Sequence, residues 1–156
     1  GKPRDSEAIA GLINRAGKPP RPVSRDDVMA AFGEKAFLML RVGPQLAGLL
    51  GWQVENLVAR TTELYVDPGL PIDQALKTLV NEVERASHDL QCEASLIFLP
   101  PHLASQEAVW KELGYEHRAP ATLGVQAWQD AAAESQPENT LLFFKQLRMD
   151  RVLRPI

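Results

Sequence analysis

The segment Thr61–Val80 limits the possible folds of this chain more than any other, because it predicts a strand, a tight loop and a helix in succession. The apolar and β-branched run Leu57–Val66 predicts the strand, and Asp67–Pro71 supplies the proline and glycine of a loop. That order places the amides of a helix N-terminus at the end of a strand, where a phosphate group can bind. The loop nevertheless carries Ile72 and Gln74 at positions where a phosphate site would need glycines.

The composition is that of one globular domain of 156 residues, with 45% hydrophobic and 24% charged residues. A net charge of −3 argues against nucleic acid or an anionic membrane surface as a partner, and no apolar run is long enough to span a membrane. A single cysteine, Cys92, excludes an intramolecular disulfide and fits the reducing cytoplasm. Gly1 at the start suggests an excised piece of a longer protein.

The first half predicts two helices, an antiparallel hairpin and a third strand. Ser24, followed by two aspartates, is a typical N-terminal signature for the second helix. A Gly-Pro pair predicts the hairpin turn, and Glu55-Asn56 predicts the next turn. The predicted bounds are Glu7–Arg15 and Arg25–Phe32 for the helices, and Ala36–Val42, Gln45–Val54 and Leu57–Val66 for the strands.

The second half predicts a buried strand that follows a long amphipathic helix. Apolar side chains recur at helical spacing from Ile72 to Leu90. Ala94–Leu99 is a continuous apolar run, typical of a strand buried on both faces, and we expect it to pair in parallel with the strand before the helix. The remaining predicted elements are a helix over Ser105–Leu113 stopped by Gly114, a helix within Val125–Ala133, and closing strands over Tyr115–Arg118 and Thr140–Leu147.

Four short segments carry a family resemblance through their order and spacing. They are Asn56–Arg60, Glu63–Pro68, Ala108–Tyr115 and Leu142–Leu147. The first two are similar to the fourth strand of the GNAT superfamily of acyl-CoA N-acyltransferases. The third is similar to that family's A-x-F-Y-x-x-L-G-F segment, and the fourth to its last strand.

The resemblance implies an α/β (α+β) fold, with a mixed, mostly antiparallel twisted sheet flanked by helices. It implies one GNAT-like domain over residues 1–156, with a C-terminal tail at 148–156. The family's first strand should lie ahead of Asp5, where only a few residues are present, so we expect that strand to be truncated.

The resemblance also implies candidate site residues. The main chain of Leu64, Tyr65 and Val66 would contact the pantetheine arm of acetyl-CoA, and Glu63 would be the catalytic general base. The alternative for Glu63 is an ordinary strand carboxylate that is solvated or hydrogen-bonded. Trp110 occupies the position of the tyrosine that protonates the leaving thiolate in many members, and an indole has no usable acidity for that step.

The pyrophosphate loop of the family, Q/R-x-x-G-x-G/A, is not reproduced in this sequence. Its glycines fall at Ile72 and Gln74, and Pro71 removes a donor N–H. Asp67 and Asp73 add negative charge where an anion would arrive, and residues 67–76 contain no Arg or Lys. The sequence therefore predicts that the standard pyrophosphate site is absent or much weakened.

Three functions follow from these residues: the least favoured is a purely structural dimerisation domain that uses the apolar last strand, and the sequence leaves the other two open. The first is a GNAT-like domain with a degenerate acyl-CoA site that acts as a binding, regulatory or assembly module, as a homodimer or in contact with the rest of a longer chain. The second is an active acetyl-CoA-dependent N-acyltransferase acting on an amine substrate. The predicted cofactor is acetyl-CoA or none. No metal site is predicted, because His88 and Cys92 lack enough further ligands nearby.

Overall fold

A computed structural model describes residues 5–17, 21–31, 35–67 and 69–148. Six α-helices are described within these ranges: α1 (Ser6–Leu12), α2 (Arg25–Ala31), α3 (Ile72–Asp89), α4 (Pro101–Ala104), α5 (Glu107–Leu113) and α6 (Gln126–Ser135). A π-helical segment, Ile13–Gly17, continues α1, and a 3₁₀ turn covers Pro120–Thr122. None of the helices in these ranges is long and apolar enough to cross a membrane.

Six strands form one mostly antiparallel sheet flanked by helices, in the order β1-β2-β3-β4-β6-β5. They are β1 (Ala36–Val42), β2 (Gln45–Glu55), β3 (Val58–Val66), β4 (Ala94–Leu99), β5 (Glu116–His117) and β6 (Leu141–Gln146). The strands β3 and β4 are neighbours in this order and are joined through α3. The predicted fold class is therefore confirmed.

The chain divides into two compact units, and β3 and α3 each contribute to both. The first unit comprises Gly1–Gln53 and Thr61–Val83. Within it β1 and β2 pair antiparallel, with a bulge between Leu40 and Arg41. Helices α1 and α2 bury their apolar faces against this part of the sheet, in a core formed by Ile9, Ala10, Leu12, Ile13, Val28, Phe37, Leu46 and Leu49.

The second unit comprises Val54–Arg60 and Glu84–Ile156. Every residue of β4 is buried, and β4 pairs antiparallel with β6 from Ala94 opposite Gln146 to Leu99 opposite Leu141. Helix α6 packs on this part of the sheet, in a core formed by Val58, Ala94, Leu96, Phe98, Leu123, Trp128, Ala131, Ala132, Leu142 and Phe144.

A buried arginine ties α6 to the turn before β3. The Arg60 side chain is almost fully buried, and its Nη1 donates to Glu134 Oε2 at 3.2 Å and to Ser135 Oγ at 2.9 Å. Its Nη2 donates to the backbone oxygen of Glu55. Because the guanidinium is buried, leaving its donors without acceptors would be costly, and these bonds hold the helix end against the hairpin.

The sequence predicts most element bounds, with three differences. The predicted helix Ser105–Leu113 is present as α5, which begins at Glu107, but the sequence misses the short helix α4, which begins at Pro101 because proline suits the first helical turn. The turn lies at Asn56-Leu57, whose φ angles of 54° and 62° match the hairpin turn that pairs best with twisted strands. The last edge strand covers only Glu116–His117.

Some sequence predictions fall outside the described residues. These are the strand expected ahead of Asp5, the end of α2 at Phe32, the loop residue Pro68 and positions 149–156 of the tail. Arg148, the first residue of the predicted tail, is described, and its Nη1 donates to the Gln91 carbonyl at 3.3 Å.

The predicted N-cap of α2 is confirmed as a reciprocal pair. Ser24 Oγ accepts from the Asp27 N–H at 3.1 Å, and Asp27 Oδ2 accepts from the Ser24 N–H at 3.0 Å. The Ser24 N–H, and after it the Ser24 hydroxyl, lower the pKa of the Asp27 carboxyl, because hydrogen bonds to the carboxylate favour its charged form. The cap thus satisfies backbone donors at the helix start.

We expect Ser24→Ala to lower the free energy of unfolding by about 1 kcal/mol, because it removes the acceptor for a helix N-terminal amide. Thr78→Ala is the matched control: Thr78 Oγ1 donates to the Gln74 carbonyl one turn back in a helix, a bond that adds little stability. Urea unfolding monitored by circular dichroism measures both variants. Equal effects of the two substitutions would contradict the cap.

Candidate functional site

The first unit contains a partly open cavity of about 660 Å³ between the π-helical segment, α2 and the sheet. A volume of that size lies within the range of small-molecule sites. Most of its wall is apolar, and the remaining lining residues are ionisable. The lining consists of Ile13, Arg21, Pro22, Val23, Asp27, Val28, Ala31, Phe37, Glu63 and Tyr65.

Strand alternation brings Glu63 and Tyr65 into this cavity. The two residues are two positions apart on β3, so their side chains leave the same face of the sheet. Gly51 on β2 makes room for the carboxylate, since a Cβ there would lie 2.7 Å from Glu63 Oε2 and 3.0 Å from the Phe37 ring. Gly51 therefore permits the observed position of Glu63.

The Glu63 carboxylate lies near a positive charge, but no described residue donates a hydrogen bond to it. The Lys35 ammonium lies 3.8 Å from Oε2, which is too long for a hydrogen bond, and Lys35 Nζ donates instead to Thr62 Oγ1 at 3.1 Å. Oε2 is buried without a hydrogen-bond partner, and no described residue donates to the other oxygen. A quarter of the side chain is accessible, so Oε1 is the oxygen that a ligand can reach.

Burial raises the pKa of the Glu63 carboxyl above its ordinary value, and the Lys35 ammonium opposes that shift only in part. Burial, reinforced by the Glu63 charge, raises the pKa of Tyr65 to about 12. Tyr65 is therefore a neutral phenol at neutral pH. Its hydroxyl forms no hydrogen bond with any residue in the described ranges. The two side chains form an adjacent acceptor and donor/acceptor on one wall of the cavity.

The segment that would hold a pyrophosphate is the first turn of a regular helix. The Ala75 N–H donates to the Pro71 carbonyl at 3.1 Å, and no described residue of 67–76 has a positive φ angle. Asp67 Oδ2 accepts from the Arg15 guanidinium at 3.2 Å, so this cation is already paired. Asp73 stands exposed in the first turn of α3 and carries the negative charge that the helix dipole favours there. These residues do not fit a pyrophosphate group.

Trp110 has a structural role in the second unit. Its side chain is 1% exposed, and Nε1 donates to the Leu103 carbonyl at 2.8 Å. The ring also contacts Tyr115 and Phe143. The indole N–H is therefore committed to the fold and is not free to donate to a leaving thiolate.

The predicted contact with the pantetheine arm concerns the main chain of Leu64–Val66. The Leu64 side chain is buried and Val66 ends β3, so a ligand contact through Leu64–Val66 would involve the main chain, as predicted. Sequence reasoning missed Lys35 and Gly51, which lie 28 and 12 positions from Glu63 and reach it only through the fold. Among the described residues, no three His, Cys, Asp or Glu side chains come together as a metal site.

Comparison with solved structures identifies the fold. A GNAT acetyltransferase of Staphylococcus aureus matches with a TM-score of 0.71 at 13% identity, covering 95% of this chain and 96% of that chain. The PaiA N-acetyltransferase of Thermoplasma acidophilum in complex with coenzyme A matches at 0.68 and 11%, covering 94% and 95%. The ribosomal-protein-S18-alanine N-acetyltransferase of Escherichia coli matches at 0.66 and 16%, covering 100% and 96%.

The chain thus has the fold of the GNAT acyl-CoA N-acyltransferases, as the sequence resemblance implies. No protein-family model and no curated protein matches the sequence. At these identities the similarity establishes the fold, and the chemistry has to be argued from the residues of this chain.

Glu63→Gln should stabilise the protein at neutral pH by an amount of order 1 kcal/mol, because it replaces a desolvated carboxylate by a neutral amide. The raised pKa of Glu63 sets the pH dependence. Its favourable contribution is fully present below the unfolded-state pKa and is lost as pH rises through the higher folded-state pKa. The gap between variant and parent should therefore close at acidic pH and open toward pH 7.

Chemical unfolding at a series of pH values measures this gap. Glu138→Gln is the control, because Glu138 is exposed and has no partner in the described ranges, so its effect should be small at every pH. A Glu63→Gln variant that is less stable than the parent at pH 7 would mean that the carboxylate is a structural ion-pair partner.

Trp110→Phe should cost about 2 kcal/mol or more, since it leaves the buried Leu103 carbonyl without its donor and also removes ring volume. Trp52→Phe is a matched control, because the buried Trp52 Nε1 has no hydrogen-bond partner and only volume is lost. Thermal and urea unfolding compare the two. Equal losses would show that the bond to Leu103 adds nothing.

Proposed function

We propose that this GNAT-fold domain binds a small organic ligand in the cavity of its first unit and does not transfer acyl groups from coenzyme A. The observation that carries the proposal is the Glu63 carboxylate, which lines the cavity without a hydrogen bond from any described residue. Oε2 is buried without a hydrogen-bond partner, which weakens the fold. A ligand that donates to the accessible Oε1 would offset part of that cost and supplies a reason for the arrangement.

The wall of the cavity supports a ligand of small-molecule size. Val28 and Phe37 are buried core residues that also line the cavity, so a bound apolar group would contact a fixed surface. Gly51 leaves the space that the carboxylate occupies, and the start of α2 is fixed by its Ser24 cap. Sites of this kind combine an apolar wall with a few oriented polar groups.

Two further observations argue against acyl transfer by the family's usual route. The first turn of α3 offers Asp73 and a regular helical backbone where a pyrophosphate would need glycines and a cation. In the second unit, the Trp110 N–H is bonded to Leu103 and cannot protonate a thiolate. In this proposal the domain serves as a cytoplasmic sensing or assembly part of a longer protein, alone or as a homodimer.

The second candidate is an active N-acyltransferase acting on an amine. It is favoured by the raised pKa of Glu63, because a base with a raised pKa is suited to accepting a proton near neutral pH. It is also favoured by the coenzyme A bound to the Thermoplasma neighbour. Under this alternative Glu63→Gln abolishes acyl transfer, whereas the first proposal assigns Glu63 to binding.

Calorimetric titration with acetyl-CoA separates the two candidates. We expect no binding in the micromolar range. The pyrophosphate of acetyl-CoA would approach the negative charges of Asp67 and Asp73, and residues 67–76 contain no Arg or Lys. The Thermoplasma protein, which was solved with coenzyme A, is the positive control for the same titration. A thermal-shift assay gives a second readout, since a ligand at a hundredfold over its Kd stabilises by about 2.7 kcal/mol.

Micromolar binding of acetyl-CoA, together with acyl transfer to an amine that is lost in Glu63→Gln, would replace the first proposal by the second. Binding without transfer would retain a sensing role but would move the ligand site away from the cavity.

A further inference from the structure

The charges around Glu63 indicate which chemical group the cavity accepts. Resting on the function proposed above, we infer that the cavity selects an uncharged ligand with an apolar body and a hydroxyl or amide group, and that Lys35 excludes cationic amines. Three features support this selectivity. They are the position of the Lys35 ammonium, the charges around the cavity, and the side chains of Glu63 and Tyr65, which form no hydrogen bond with a described residue.

Lys35 supplies charge to Glu63 but no hydrogen bond. Its ammonium lies 3.8 Å from Glu63 Oε2 and is held away by its own bond to Thr62 Oγ1. The Lys35 side chain is only 16% exposed, so it has little freedom to leave. A ligand ammonium at the same carboxylate would face a fixed like charge in a poorly solvated site, and that repulsion is strong where the effective dielectric is low. Neutral donors do not meet this cost.

The described residues that line the cavity include three charged ones, Arg21, Asp27 and Glu63, and Lys35, which is not a lining residue, brings this set to balance. Arg21 and Asp27 attract each other, and Asp27 Oδ2 also accepts from the Ser24 N–H. Lys35 in turn balances Glu63. A ligand with a net charge of either sign would unbalance this set, so the electrostatics favour a neutral molecule.

The unsatisfied polar groups describe the complementary group on the ligand. Glu63 offers an acceptor, and the neutral Tyr65 hydroxyl offers a second polar group two positions along the same face. A hydroxyl or amide can donate to the carboxylate without bringing a charge, whereas an ether has no donor to offer. The apolar remainder of the ligand would contact Val28 and Phe37.

Three probes of nearly equal size test this selectivity. They are benzyl alcohol, its isomer anisole, which lacks a donor, and benzylamine, which is a cation at pH 7. Titration followed by ¹⁵N–¹H NMR measures affinity through the backbone amides of Val28, Phe37 and Tyr65. We expect benzyl alcohol to bind about tenfold more tightly than benzylamine or anisole.

Substitution of Lys35 then separates charge from shape. In Lys35→Met, benzylamine should gain about tenfold in affinity and overtake benzyl alcohol, because its ammonium replaces the missing counter-ion. Lys35→Gln keeps a donor for Thr62 and should show the same reversal, so the test does not depend on the stability of one variant. Lys111→Met in the second unit is the matched control and should leave the order unchanged, since Lys111 does not line this cavity.

The outcomes distinguish the inference from the proposed function. Benzylamine binding as tightly as benzyl alcohol to the unsubstituted protein, or no gain for benzylamine in both Lys35 variants, would overturn the selection of neutral ligands while leaving the cavity as a binding site. If none of the probes shifts the cavity amides at tens of millimolar, a range in which fragment-sized ligands bind, the proposed ligand site itself is wrong.

Discussion

Successive side chains of β3 point to opposite faces of the sheet, and this alternation decides which residues of the strand belong to the core and which line the cavity. Leu64 is buried, while its neighbours Glu63 and Tyr65 share the other face. A shift of register by one residue would place the carboxylate in the core and remove the polar wall of the cavity. The candidate site therefore depends on the same constraint that positions the strand, and Gly51 on the adjacent strand is what allows a glutamate at this position.

The energetics of Glu63 connect stability with function. A buried carboxylate is normally paired and hydrogen-bonded, and here only the pairing is present. Lys35 is close enough to reduce the charge penalty but is oriented toward Thr62. The Lys35 ammonium lies 3.8 Å from Glu63 Oε2, which is too far to donate, so Oε2 accepts no hydrogen bond. A neutral residue at this position would avoid the charge penalty, so folding alone does not account for the carboxylate, whereas the ligand proposed above would.

Sequence patterns predict the strand bounds, helix caps and helix ends that depend on local chemistry. The bounds of β4 follow from its continuous apolar run, the cap of α2 from Ser24 and Asp27, and the end of α5 from Gly114, which has a φ angle of 90°. The site was only half predicted. Glu63 was identified through its strand position, but Lys35 and Gly51 contribute through contacts that no local pattern encodes. The sequence patterns likewise do not predict the hydrogen bond from Trp110 to Leu103, because Leu103 lies in α4, a short helix that they do not predict.

The N-terminus of the helix that follows β3 is stabilised by residues of this chain. In a pyrophosphate loop, the charge of the bound ligand satisfies the amides and the dipole at the helix N-terminus. Without that ligand, these groups need another anion. In this chain Asp73 supplies the negative charge and Pro71 removes one donor that would otherwise need a partner. Asp67 is bound by Arg15, which fixes the loop from the side of the π-helical segment. Asp73 and Asp67 stabilise this helix start and its loop, and under the function proposed above their negative charges would oppose an incoming phosphate.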